Sequence, residues 1–313
     1  MREYQKYFKF GIGVSNFYPG SFTDELEHLR AFSVVASIPG YETLETFMPL
    51  TKEVFHEEMR IALGEGKQIN YNLPPAFQCL GKFNPCSKDS NERASALDLA
   101  KRHLDNACEA GSRICAMTSG PDVDPLNRNL ILSLFLEYII KLAEYAKVLG
   151  ICLVIEPVER ERFKKLLLGP TSECVAFIGK LRRNGCDNVK LMIDTAHCPL
   201  MEENPFTALK LISDSGIGHV HIGNAVLDER SEFYGHTHPA MGVSGGVYDV
   251  DFMAEFLSQL FSIGYLDNVV NYDNRPCVSY EMQAYPGLSV YESATIAQNK
   301  MNEALLQALG HNS

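Results

Sequence analysis

The sequence predicts a single (β/α)₈ TIM barrel, one domain over residues 1–313. Short β-like runs alternate with longer amphipathic segments from end to end, and the alternation counts eight units. Parallel strands must return by a crossover, so eight such units with helices outside favour closure into a barrel. The rival, an open doubly wound sheet, usually carries a glycine-rich phosphate turn after its first strand. Here that turn reads GIGVSNFYPG and lacks the GxGxxG spacing.

The strands are expected in this order. Residues 9–14 (KFGIGV), 41–47 (YETLETF) and 68–73 (QINYNL) are the first three, each separated by a helix-like stretch. Residues 113–118 (RICAMT) follow a helical span at 90–110, and 152–156 (CLVIE) follow a strongly periodic span at 126–149. Residues 189–193 (VKLMI), 219–222 (HVHI) and 277–282 (CVSYEM) complete the eight, with helical patterns at 171–184, 205–214, 251–263 and 290–309. The chain exceeds the ~250 residues of a typical barrel, and the surplus is assigned to two long loops, 73–91 after strand three and 224–251 after strand seven.

Composition narrows the function classes. With 46% hydrophobic and 21% charged residues the chain can bury a large core, which excludes disorder as its main state. The most apolar stretch, 129–147, is broken by Glu137, Lys141 and Glu144, so no membrane span is expected. The beginning MREYQKYFKFGIG has no apolar signal core, and a cytoplasmic location is expected. Nine cysteines without a CxxC pair read as reduced, mostly buried thiols. A net charge of −11 repels a polyanion, so no nucleic-acid partner is expected.

Chemistry on a barrel gathers at the carboxyl ends of the strands. Four consecutive strands each end on a polar residue: Glu156 in CLVIEP, Asp194 in LMIDTAH, His221 in HVHIGN and Glu281 in SYEMQ. Singly, each has a plain structural reading, as a solvated carboxylate, a turn cap or a hydrogen-bonded core group. Together, three carboxylates and an imidazole at one mouth would repel unless a cation sat between them. The oxygen-rich set suits Mn²⁺ first, with Mg²⁺, Co²⁺ or Zn²⁺ as alternatives. His221 is nearer the carboxyl end than His219, which is read as a supporting core residue. His197, three residues after Asp194, and Arg230, His236 and His238 in the long loop are candidates for substrate contact. The run ERERFKK at 159–165 reads as a solvated helix start, or alternatively as a phosphate holder through Arg160 or Arg162.

The set EP, DTAH, HVHIGN and YEMQ resembles the xylose-isomerase-like superfamily of TIM barrels, most closely its branch of ketose 3-epimerases, such as D-tagatose 3-epimerase, and sugar isomerases. The resemblance implies one divalent ion, usually Mn²⁺, bound by Glu156, Asp194, His221 and Glu281. Glu156 and Glu281 would also be the acid–base pair, and His197 a substrate contact. A homodimer is implied as well. The epimerases carry an arginine six residues after the metal histidine, where this chain has Leu227, with Arg230 three further on. The chain also resembles the related endonuclease IV type in its histidine-bearing loop, HTH at 236–238. Strands three and four, however, offer Asn70, Asn72 and Thr118 where a three-zinc site needs histidines.

The expected activity is therefore proton abstraction beside a sugar carbonyl through a metal-stabilised enediolate, giving epimerisation or aldose–ketose isomerisation. The alternatives are an inosose-dehydratase-like lyase, a metal-dependent phosphodiesterase and a non-enzymatic sugar-binding protein. Three carboxylates around one divalent ion leave a net negative charge, which favours a neutral sugar or polyol over a phosphorylated one.

Overall fold

The computed structural model describes residues 2–18, 24–49, 51–73, 84–267 and 275–311. Eight strands form one parallel sheet: β1 Lys9–Gly13, β2 Thr43–Phe47, β3 Gln68–Asn72, β4 Ile114–Met117, β5 Cys152–Ile155, β6 Val189–Asp194, β7 Ile217–Ile222 and β8 Cys277–Tyr280. Their order is β3-β2-β1-β8-β7-β6-β5-β4, so the first and last strands pair and curl the sheet into a nearly closed barrel. The seam between β3 and β4 is held by single bonds: the Leu73 amide donates to the Ala116 carbonyl at 2.9 Å, and the Ser112 hydroxyl to the Ile69 carbonyl at 2.7 Å.

The outer layer comprises α1 Glu25–Ala36, α2 Lys52–Gly64, α3 Ser90–Glu109, α4 Pro125–Val148, α5 Thr171–Arg183, α6 Pro205–Ser213, α7 Val250–Ser262 and α8 Val290–His311. Start signals are local. Asp24, Asp89 and Asn204 each accept two backbone amides of the helix they precede, and Pro125 and Pro205 occupy first helical positions where no amide bond is lost. Each expected strand and helix lies within two residues of its observed bounds. Of the two expected long loops, 74–83 and its Cys79 lie outside the described residues. The loop after β7 is pinned by bridges from Val226 to Tyr234 and Gly246. No helix among the described residues is long and apolar enough to cross a membrane. The described cysteines are free thiols, most of them buried.

Alternation along the strands divides the core. Outward positions such as Leu44, Ile193, Val220 and Tyr280 pack beneath the helices in the large core cluster. Inside the barrel one wall is apolar, where Ala116, Val154 and Met192 meet with Ile114 and Cys152. The opposite wall is polar, built from Glu45, His219 and Ser279. Between β2 and β8, β1 contributes Gly11 and Gly13. A Cβ at Gly11 would lie 2.0 Å from Ser279 Oγ, so only glycine leaves room there.

Candidate metal centre at the carboxyl rim

A cavity of about 490 Å³ opens at the carboxyl ends of the strands, within the range of small-molecule sites. Glu156, His221 and Glu281 line it. The four residues expected to gather around a cation do converge: one atom from each of Glu156, Asp194, His221 and Glu281 lies within 4.8 Å of the others. Register explains why. Asp194 pairs with His221 across β6 and β7, and the Glu281 amide continues the β7–β8 ladder by donating to the Ile222 carbonyl at 3.3 Å. The Glu156 amide does the same for β5, donating to Met117 at 3.0 Å. His221 Nδ1 lies 2.6 Å from Glu281 Oε2 and 3.9 Å from Asp194 Oδ2. A side chain on Gly223 would press within 2.8 Å of Asp194 Oδ1, which keeps that flank bare.

The electrostatics are unfinished without a cation. Asp194 is 3% exposed; its Oδ1 accepts the Ala196 amide at 2.7 Å, whereas its Oδ2 has no hydrogen-bond partner. Glu156 Oε1 is likewise buried and has no aligned hydrogen-bond donor, although His197 Nε2 lies 3.3 Å away. Buried carboxylate oxygens left this way are strongly unfavourable, and a divalent ion with oxygen preference is the group that satisfies them. Burial, reinforced by the charges of Glu281 and Glu156, pushes the Asp194 carboxyl well above its ordinary value despite His197 and His221. Burial also opposes ionisation of Glu281, but His238, His221 and His197 outweigh it and hold that carboxyl well below the usual range. The Asn16 amide donates to Glu281 Oε1 at 2.8 Å.

Beside this centre three imidazoles, His197, His236 and His238, form a second cluster of potential ligands within 4.8 Å. Glu159, 1% exposed, organises two of them. His197 Nδ1 lies 2.8 Å from its Oε1, and His236 Nδ1 lies 3.3 Å from both oxygens. His197 Nε2 faces Glu156 Oε1 at 3.3 Å. Both nitrogens of His238 are buried and unpartnered. Burial pushes His238 and His236 down to about 4. Against its burial, Glu159 and Glu156 hold His197 well above the ordinary imidazole range.

Two expectations need correction. The run 159–165 is no solvated helix start: Glu159 and Arg160 are buried, and no helix forms there. Arg160 is no phosphate holder either, because its guanidinium is consumed by Glu173 at 2.6 and 2.8 Å and by the Leu167 carbonyl. Arg162 stays at the surface near Glu202. Arg230 also stays outside the cavity: its side chain is 89% exposed and paired with Asp228 at 2.9 Å. The lysine that does line the cavity is Lys164, between Phe163 and Lys165, both in left-handed backbone conformation at φ 49° and 51°. Sequence reasoning missed Asn16, Glu45, Glu159 and Lys164. Only Glu45 left a signal, as a carboxylate between Leu44 and Thr46 in a strand.

Fold and site together define a parallel (β/α)₈ barrel with a candidate metal centre at its carboxyl rim. The family model described as "Xylose isomerase-like TIM barrel" matches residues 32–275, and the chain belongs to that family. No curated protein matches the sequence. Among solved structures the chain is similar to L-ribulose 3-epimerase, with 21% identity, TM-score 0.72, and coverage of 97% of this chain and 96% of that one. It is similar to D-psicose 3-epimerase from Clostridium cellulolyticum H10, with 18% identity, TM-score 0.67, and coverage of 96% and 98%. It is also similar to an AP endonuclease, family 2, from Brucella melitensis, with 18% identity, TM-score 0.69, and coverage of 92% and 97%.

Proposed function

We propose that this protein is a divalent-metal-dependent sugar epimerase or isomerase, with Glu156, Asp194, His221 and Glu281 as the metal-binding set. The observation that carries the reading is their convergence, with buried oxygens of Glu156 and Asp194 that no aligned hydrogen-bond donor satisfies. Structural likeness to ketose 3-epimerases supports it. A single bound Mn²⁺, or in its place Mg²⁺, Co²⁺ or Zn²⁺, supplies Lewis-acid polarisation of a substrate carbonyl.

The chain's own residues do the rest. Glu156 and Glu281 immediately follow β5 and β8, separate strands of the sheet, which suits removal of a proton on one face of the substrate and its return on the other. Glu156 or Glu281 serves as the base, and the Asn16 amide keeps Oε1 of Glu281 oriented. His197, tied to Glu159, and His236 and His238 offer contacts to substrate hydroxyls. The substrate is a neutral sugar or polyol, because the carboxylates outnumber the charge of one divalent ion. A homodimer in the cytoplasm is the corresponding cellular form.

The test is incubation of the Mn²⁺-loaded protein with ketoses and inososes in D₂O. NMR should find deuterium on the carbon beside the carbonyl; elimination of water instead would identify an inosose-dehydratase-like lyase. A protein that binds the metal yet exchanges no proton in any of them overturns the reading. The three-imidazole cluster favours one second reading, a metal-dependent phosphodiesterase, since it offers ligands for an additional ion. Metal analysis separates the two: one Mn²⁺ per chain supports the epimerase, two or more Zn²⁺ per chain the phosphodiesterase.

A further inference from the structure

Below the candidate metal centre, a carboxylate reaches across the barrel. Glu45 belongs to β2, which β1 and β8 separate from β7 in the sheet. Its Oε2 nevertheless lies 2.6 Å from His221 Nε2, and its Oε1 2.7 Å from His219 Nε2. The Ser279 hydroxyl of β8 donates to the same Oε1. The intervening strand presents Gly11 beside this contact, where a Cβ would lie 2.0 Å from Ser279 Oγ and displace the hydroxyl that donates to Glu45. Glu45 is 2% exposed, and among the described residues its hydrogen-bond partners are these three, with Cys277 also within 4.8 Å.

A carboxylate in this setting can only accept, so the imidazoles that face it must donate from Nε2. For His221 that choice has a consequence at the other side of the ring. Its Nδ1 is the nitrogen that faces Asp194 and Glu281. We infer that Glu45 is a positioning residue: it holds the Nε2 proton of His221, and so commits Nδ1 to the divalent cation. A carboxylate behind a metal-bound imidazole fixes its tautomer and ring orientation and raises its basicity, and losing such a partner weakens metal binding by about 10–100-fold. His219 and Ser279 in turn hold the carboxylate in place.

The inference rests on the proposed metal centre, and the experiment separates the two. In Glu45→Gln the amide oxygen is best retained on the side of two donors, His219 and Ser279. Its NH₂ then faces His221 Nε2 and demands the opposite tautomer. Mn²⁺ affinity, read by electron paramagnetic resonance of the free ion, should fall by about 10–100-fold, with circular dichroism confirming the fold. In the unaltered protein loaded with Mg²⁺, ¹⁵N NMR should show His221 protonated on Nε2 alone. An Nε2 without a proton there overturns the inference even where the variant does not fold. Mn²⁺ affinity within about twofold in a folded E45Q overturns the inference while leaving the metal centre standing; a proton on Nδ1 in the loaded protein overturns the inference together with His221's place among the ligands. Absence of Mn²⁺ binding by the unaltered protein removes both.

Discussion

The barrel interior carries two tiers of charged groups, and they are completed in different ways. In the lower tier, Glu45 has donors on both oxygens, from His219, His221 and Ser279. In the upper tier, only one strand residue-pair higher, Asp194 Oδ2, Glu156 Oε1 and both nitrogens of His238 make no aligned hydrogen bond, although His197 Nε2 faces Glu156 at 3.3 Å and His238 Nδ1 faces Asp194 at 3.7 Å. Both tiers are buried in the same barrel, so burial alone does not distinguish them. The lower tier is finished by the protein and acts as a support. The upper tier leaves buried polar atoms without an aligned hydrogen bond, which marks it as the candidate site.

Removing a carboxylate from each tier breaks the comparison most directly. The largest effect is on chemistry: Glu281→Gln should slow solvent-deuterium exchange by about 10³-fold or more while the protein remains folded, because it removes a base and a ligand together. Exchange at the original rate would exclude Glu281 from catalysis. Stability should then respond with opposite signs. In the metal-free protein Glu45→Gln should cost about 3 kcal/mol, since it breaks buried charge-assisted bonds. Its burial is outweighed by His219 and His221, which hold its pKa below the unfolded value, so this stabilisation is present above about pH 4 and fades as pH falls further.

The Gly11→Ala change should cost about 1–3 kcal/mol, measured by denaturant unfolding, by forcing Ser279 away from Glu45. For Asp194→Asn the expected change is of opposite sign, a gain in stability at neutral pH in the presence of chelator. The folded pKa of Asp194 is raised, so its penalty is absent below about pH 4 and grows as pH rises through the folded value. The variant should flatten that slope in thermal unfolding across pH, and a destabilised variant would show that the upper tier is structural after all. The smallest effect belongs to Arg230→Ala, which should leave kcat/KM within about twofold, because an exposed ion pair outside the cavity contributes little.

How much was legible in sequence follows the same division. The strands and their rim residues could be read because apolar alternation and local motifs such as LMIDTAH carry both the element and its terminal ligand. Glu45 could not be assigned, since its partners His219 and His221 lie 174 and 176 positions away and no local pattern links them. Glu159 was hidden by its neighbours: in ERERFKK it reads as one solvated charge among many, and only the tertiary packing buries it against His197. Arg230 is the converse case: near the motif in sequence, its side chain is exposed and paired with Asp228 and does not line the cavity.

The weak seam between β3 and β4 has an engineering consequence. A chain cut between Asn72 and Ser90 would yield two pieces, each with an uninterrupted run of paired strands, whose reunion depends on the β1–β8 ladder. The larger piece would keep Glu156, Asp194, His221 and Glu281, while the smaller would carry Glu45 and Asn16. Such fragments would make a complementation reporter in which the rejoining of two polypeptides is governed by the dissolved ion.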